Sequence, residues 1–205
     1  MSRTRLLAGL ALLLLVVGVV PVPRAALAAP ADPGAFMSDL GNQILGLITN
    51  KQLSADQRRA QFKTLAESAF DVPKIAQFVL GRYWRTATDQ EKTQFTQAFE
   101  DYMVNVYWSR FTSYNGETFK VASTQDEGNG TTLVTTDIMR PTSGQPPVKV
   151  SWDIVKIGGQ YKIRDASLEG VSQAITYRDE FSSIIERNGG SVAGLITQLK
   201  QRTAG

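Results

Sequence analysis

The chain has 205 residues, 22 of them Lys or Arg and 19 Asp or Glu, and it contains neither cysteine nor histidine. Ser-His-Asp and Cys-His catalysis, disulfides and lipid-modified cysteine are therefore excluded, and a zinc site would have to use carboxylates alone. With 42% hydrophobic residues, the chain is long and apolar enough to bury a sizeable core in one domain.

Residues 1–28 have the three-part layout of a Sec signal peptide. Arg3 and Arg5 precede an unbroken apolar run from Leu6 to Val20, followed by Pro21, Pro23 and the small-residue triplet Ala26-Leu27-Ala28. The run is shorter than the roughly 20 residues that a bilayer span prefers. Cleavage is expected after Ala28, leaving one domain over 29–205. An uncleaved anchor is the alternative, because Leu27 to Ala29 prolongs the apolar stretch. Arg3, Arg5 and Arg24 are the only charges in this segment, so the remainder balances 19 basic against 19 acidic residues. The pI of about 9.2 mostly describes the targeting peptide. No Lys/Arg cluster remains to neutralise phosphates, which argues against a nucleic-acid partner.

Helical spacing then dominates. Phe36, Leu40, Ile44, Leu47 and Ile48 form a first stripe. Ser54 with Gln57 is a capping box that opens a second helix with Phe62, Leu65, Ala66 and Ala69 on its apolar side. Pro73 suits the first turn of a short helix carrying Ile75, Phe78 and Val79 up to Gly81. Thr88 with Glu91 opens the longest element, whose stripe is Phe95, Ala98, Phe99, Tyr102, Met103, Val106, Tyr107 and Phe111, with a polar opposite face.

After Asn115-Gly116 the period changes to two. Strands are predicted over Glu117–Thr124 and Thr132–Met139, joined by the turn Glu127-Gly128-Asn129-Gly130. Val148, Val150, Trp152 and Ile154 alternate with polar residues, and Gly158-Gly159 turns that strand back into Tyr161–Arg164. The expectation is a four-stranded antiparallel meander with one face on helices. Asp165 to Gly170 leaves the sheet, and a helix from Ser172 carries Ala174, Tyr177, Phe181, Ile184 and Ile185. Gly189-Gly190 stops it before a last helix with Val192, Leu195, Ile196 and Leu199. Helices, meander, helices make an α+β domain.

The stretch DASLEGVSQAITYRDEF, residues 165–181, has the inventory of an active site. Yet Asp165 and Glu169 stand near a helix N-terminus, where carboxylates are favoured regardless of function. Asp179 and Glu180 lie about 100° apart around their helix and off the apolar stripe. Asp126–Gly130 lacks the alternating ligands and closing glutamate of a calcium loop. No catalytic residue, metal site or cofactor is expected. The unusual feature is the aromatic and apolar supply, which fits either a filled core or an interior left open to a ligand. Periodicity does not choose between them.

Two segments resemble a known family: FVLGRYWRTATDQEKTQFTQAFEDYMVNVYWSRFTSYNGETFKV, residues 78–121, and YKIRDASLEGVSQAITYRDEFSSIIERNGGSVAGLITQL, residues 161–199. The pieces VLGRYWR with the T-x-x-E box and F-x-x-A-F, and D-x-x-x-E-G-V-S with Y-R-x-x-F, resemble the MlaC (toluene-tolerance, Ttg2D-like) family of periplasmic phospholipid-binding proteins. Tyr161 stands where many relatives have tryptophan. The resemblance implies an α+β fold whose sheet and helices enclose an apolar pocket for acyl chains. It also implies a periplasmic carrier working between an outer-membrane lipoprotein complex and an inner-membrane ABC transporter with an MCE-domain subunit. The cargo it implies is phospholipid, or hopanoid in one branch. On that reading the lipid-binding residues are Tyr83, Phe99, Tyr107, Val150, Trp152, Ile163, Val171, Tyr177 and Phe181, with Val171 and Tyr177 facing inward. Two other readings stay open. One is an enzyme using Asp153 or Asp165 as a general base in an apolar cavity; the other is an adaptor with a filled core.

Overall fold

A computed structural model describes residue 30 and residues 32–111, 113–141, 144 and 146–203. The signal peptide expected over 1–28 lies outside the described residues. Helix α1 (Pro33–Thr49) starts where the Asp32 side chain accepts the Ala35 N–H at 2.8 Å, and it buries Met37, Leu40 and Leu47. Helix α2 (Ala55–Ala69) opens on the Ser54–Gln57 box, with both reciprocal hydrogen bonds made, and buries Phe62 and Ala69. The short α3 (Val72–Leu80) is followed by a 3-10 turn, Gly81–Arg85.

The central helix α4 (Asp89–Phe111) follows the Thr88–Glu91 box, where each residue binds the other's backbone N–H. Its far face is not polar throughout. Phe95, Ala98 and Phe99 enter a cluster with α3 and the last two helices, while Val104 enters another with Leu47 and Phe62, joined by Trp108 and Phe111. A helix of this length spans about 35 Å, so its two halves serve two cores on different sides.

Five strands follow, each antiparallel to the next in chain order: β1 (Thr118–Gly128), β2 (Thr131–Met139), β3 (Val148–Ile157), β4 (Gln160–Leu168) and β5 (Val171–Ser172). The meander therefore has one strand more than expected, and β1 runs four residues past Thr124. Asn129 and Gly130, with φ of 52° and 76°, form a two-residue turn of the kind whose twist matches the strands. The extra strand arises because Glu169 (φ 49°) and Gly170 (φ 82°) form another such turn. Helices α5 (Gln173–Arg187) and α6 (Val192–Thr203) complete the chain.

The sheet's apolar face, with Val134, Ile154 and Ile163, packs on α1 and the end of α2 through Met37, Leu40 and Ala69. Helix α1 approaches β1 closely: a Cβ at Gly41 would stand 2.6 Å from the Phe119 ring. The Gly41→Leu variant is expected to lose about 2 kcal/mol or more of stability, because helix or ring must shift. Urea unfolding checks this.

Between α2 and α4, Lys63 reaches Asp101 at 2.7 Å and Glu67 and Glu100 at 3.9 Å. One Glu100 oxygen is buried without a hydrogen-bond partner. Burial first, then a hydrogen bond with Glu67, pushes the Glu100 carboxyl up to about 7, against the opposing pull of Lys63. The folded state thus holds this proton more tightly than an ordinary glutamate at 4.5 does. The contribution is complete below that ordinary value and is lost as pH rises through about 7. Replacing Glu100 by Gln is therefore expected to raise Tm relative to the parent at about pH 8 and to have little effect near pH 4. Thermal scans at the two pH values measure it.

Candidate functional site

The corner where β4 gives way to α5 is built around one carboxylate. Asp165 Oδ1 accepts the N–H of Ala166 at 2.8 Å and of Ala174 at 2.9 Å, and Oδ2 accepts the Ser172 hydroxyl. The Ser172 oxygen in turn accepts the Ile175 N–H at 3.1 Å, capping α5. Glu169 tolerates its left-handed conformation because it is bound twice to Lys149. Its N–H donates to the Lys149 carbonyl at 3.0 Å, and its carboxylate accepts the Lys149 N–H at 2.7 Å.

Strand register places one row of side chains across the sheet: Val121, Thr136, Val150, Leu168, Val171. Cross-strand partners share a face, so the row lies on the face that carries Val134 and Ile154. Relative exposure climbs along it from 0% at Thr136 through 7% at Val150 and 37% at Leu168 to 58% at Val171. The row begins near α1 and ends at an open edge beside the start of α5. Its one hydroxyl is fully satisfied. Thr136 Oγ1 donates to the Val150 carbonyl at 3.1 Å and accepts the Trp152 Nε1–H at 2.9 Å.

A separate aromatic cluster lies among the helices. Phe181 meets Phe95 and Phe99 edge-on, each at 6.0 Å between centroids, and Tyr177 meets Phe99 and Tyr102 edge-on. Tyr107 and Tyr177 lie close enough for each phenol to influence the other's titration. Burial pushes both phenols up, which keeps them neutral.

The residues proposed from sequence fall into three groups. Phe99, Tyr177 and Phe181 sit together in the aromatic cluster and Tyr83 packs at its margin, whereas Tyr107 packs against the separate cluster of Leu47, Phe62 and Val104. Trp152 and the fully buried Ile163 belong to the sheet core under α1, and Val150 lies on the row. Val171 shares that face but is not buried: it is the most exposed of the row, because the fifth strand carries it to the edge. Thr136 and Leu168 were missed. Nothing in the local sequence singles them out, since only the register of four strand pairs joins them.

The acids have structural surroundings. Asp153 lies opposite Asp165 across β3 and β4, and burial, then the charges of Asp165 and Glu127, holds its carboxyl above the usual range. The acceptor oxygens of Asp165 are taken up by the corner, and Glu180 pairs with Arg202 at 2.7 Å. Among the described residues, no group of three or more acidic side chains is placed to hold a metal ion.

Comparison with known proteins decides the family. The family described as MlaC protein matches residues 38–201, from α1 into α6. The chain belongs to the MlaC family. Toluene tolerance protein ttg2D of Pseudomonas putida is similar at 25% identity over 129 residues, 58% of each protein. The chain thus spans under two thirds of that relative's length. A solved phospholipid-binding protein from Ralstonia solanacearum, in complex with a phospholipid, has the same fold. Its TM-score is 0.72 at 21% identity, covering 85% of this chain and 98% of that one. The MlaC match includes the whole row and the Asp165 corner.

Asp165→Ala is expected to cost about 2 kcal/mol, because a partly buried hydroxyl and two backbone N–H groups lose a charged acceptor. Asp165→Asn, keeping one carbonyl oxygen, should cost less. Denaturant unfolding of both variants checks the order.

Proposed function

We propose that this MlaC-family chain is a periplasmic lipid carrier. It binds phospholipid acyl chains in an apolar site and shuttles lipid between the outer and inner membranes for an ABC transport system, without catalysing a reaction. Export by the signal peptide at residues 1–28 delivers a single domain, 29–205, to the periplasm of a Gram-negative cell. There it meets an outer-membrane lipoprotein complex and an inner-membrane transporter bearing an MCE-domain subunit.

The observation that carries this reading is the row whose exposure rises from the fully buried Thr136 to the open edge at Val171. An apolar chain would approach the row from its exposed edge, where Leu168 and Val171 leave hydrocarbon surface uncovered. Tyr83, Phe99, Tyr107, Val150, Trp152, Ile163, Val171, Tyr177 and Phe181 are the proposed lipid contacts. The Phe99–Tyr177–Phe181 group forms the inner wall, and Val150, Leu168 and Val171 form the floor. Each buried methylene contributes roughly 0.8 kcal/mol, so a dozen supply about 10 kcal/mol before ordering costs. That is enough for binding without covalent chemistry. The family membership and the phospholipid held by the Ralstonia solanacearum protein point the same way.

The test is to express the full chain in a Gram-negative periplasm, purify it without detergent, and quantify solvent-extracted lipid by mass spectrometry. Near-stoichiometric phospholipid or hopanoid is expected, and its identity names the cargo class. Leu168→Glu, which places a charge on the floor near its open end, is expected to reduce bound lipid at least tenfold while the protein stays folded. A well-folded protein that carries no lipid would turn the reading to an envelope adaptor.

A further inference from the structure

The dipeptide Asn-Gly occurs three times, at Asn115-Gly116, Asn129-Gly130 and Asn188-Gly189. Asparagine is a thermolabile residue, and a following glycine makes it more so. With no Cβ on the next residue, the glycine nitrogen can reach the carbonyl carbon of the asparagine side chain. That nitrogen bonds to the carbon, its proton leaves with the side-chain amide as ammonia, and a five-membered imide remains. Water opens the imide at either carbonyl, giving aspartate or isoaspartate. One water is consumed and one ammonia released, and no catalyst or redox partner is needed. The dipeptide alone makes the three sites equal; the fold does not.

Asn188 is the C-cap of α5. Its Nδ2 donates to the Ile184 carbonyl at 2.8 Å, and the attacking nitrogen of Gly189 donates to the Glu186 carbonyl at 3.1 Å. Its Cγ is crowded by α6, lying 3.1 Å from where a Cβ on Gly194 would stand. Leaving group and nucleophile are therefore both held, and both bonds must break before the ring can close.

Asn115 and Gly116 are exposed in the connection from α4 to β1. The Asn115 N–H donates to Glu117 Oε2 at 2.8 Å, but among the described residues neither the Asn115 side-chain amide nor the Gly116 N–H has a hydrogen-bond partner. Asn129 and Gly130 are exposed at the tip of the β1–β2 hairpin, and the same two groups are unbound there among the described residues. The cross-strand pair Gly128–Thr131 closes that turn with Asn129 at a φ of 52°, so the turn has to open before the imide forms.

We propose that Asn115 and Asn129 are sites of spontaneous conversion to aspartate and isoaspartate in the folded protein, and that the bonds ending α5 exempt Asn188. Either product at position 129 adds a negative charge beside Asp126 and Glu127. Isoaspartate also inserts a methylene into the main chain of a two-residue turn, the element that fixes the β1–β2 register.

The experiment keeps the full chain, recovered after export, in neutral buffer over weeks. Peptide mass spectrometry follows the amide-to-acid change at each pair, and electron-based fragmentation separates aspartate from isoaspartate. Asn115 is expected to convert fastest. Asn129, with one cross-strand pair to open, should be about fivefold slower, and Asn188, with two bonds to break, about thirtyfold slower than Asn115. In guanidinium the three rates should converge, because only the fold distinguishes the sites. Equal rates at the three sites in the folded protein would overturn the proposal. So would conversion of Asn188 ahead of the other two, or intact amides at both Asn115 and Asn129.

Discussion

The start of α5 is fixed by the carboxylate of Asp165, and most of what distinguishes this molecule follows from that fixed point. A carboxylate removed from much of its water needs donors in compensation, and here they come from Ala166, Ser172 and Ala174 on both sides of the corner. Fixing Ser172 and Ala174 also fixes the rotational phase of the helix. At 3.6 residues per turn, Ala174, Tyr177, Phe181, Ile184 and Ile185 then point inward, and Ile175 and Arg178 point out. One side-chain cluster thus determines both which side chains of α5 are buried and which are exposed.

The sheet supplies the complementary constraint. Register shifts between Val121 and Ser123, Asp126 and Gly128, and Asp153 and Ile154 increase local twist. At the last of these, β4 turns its edge toward α3: the Asp71 N–H donates to the Ile163 carbonyl at 2.9 Å, and Arg164 pairs with Asp71 at 3.0 Å. Phe70–Asp71 covers that edge at one point and the two-residue β5 covers it at another. An otherwise open strand edge, which invites pairing with other chains, is thereby partly occupied. The same short β5 leaves the end of the apolar row accessible.

Much of this architecture was legible in the sequence because it depends on local chemistry. The Ser54–Gln57 and Thr88–Glu91 boxes start helices wherever the chain goes, and Gly158-Gly159 turns a strand by itself. The parts that were not legible depend on contacts between distant residues. Glu169 is a poor residue for a left-handed turn, and it forms one because Lys149, twenty positions away, binds it twice. Without that turn there is no fifth strand, and Val171 reads as an inward residue of a bend. The second apolar side of α4 was hidden for a related reason. A period of 3.6 identifies one stripe, whereas Val104 and Trp108 answer to a different neighbour from Phe95 and Phe99. The row itself is invisible in any single strand, since Thr136 and Leu168 gain meaning only through pairing. The family resemblance succeeded because whole motifs carry such pairings implicitly.

A carrier has to release what it binds, and a gradient of burial serves that requirement better than a closed cavity. If an acyl chain lies along the row, its methylenes leave water by stages, most completely at Thr136 and least at Val171. Withdrawal from the edge then exposes the chain progressively, each step costing roughly 0.8 kcal/mol per methylene, instead of requiring the whole hydrophobic term at once. Were the edge to meet another apolar surface, each methylene would pass from one apolar setting to the next and that cost would largely disappear. On the proposed carrier reading, the exposed Val171 at the end of the row is where that progressive withdrawal would begin.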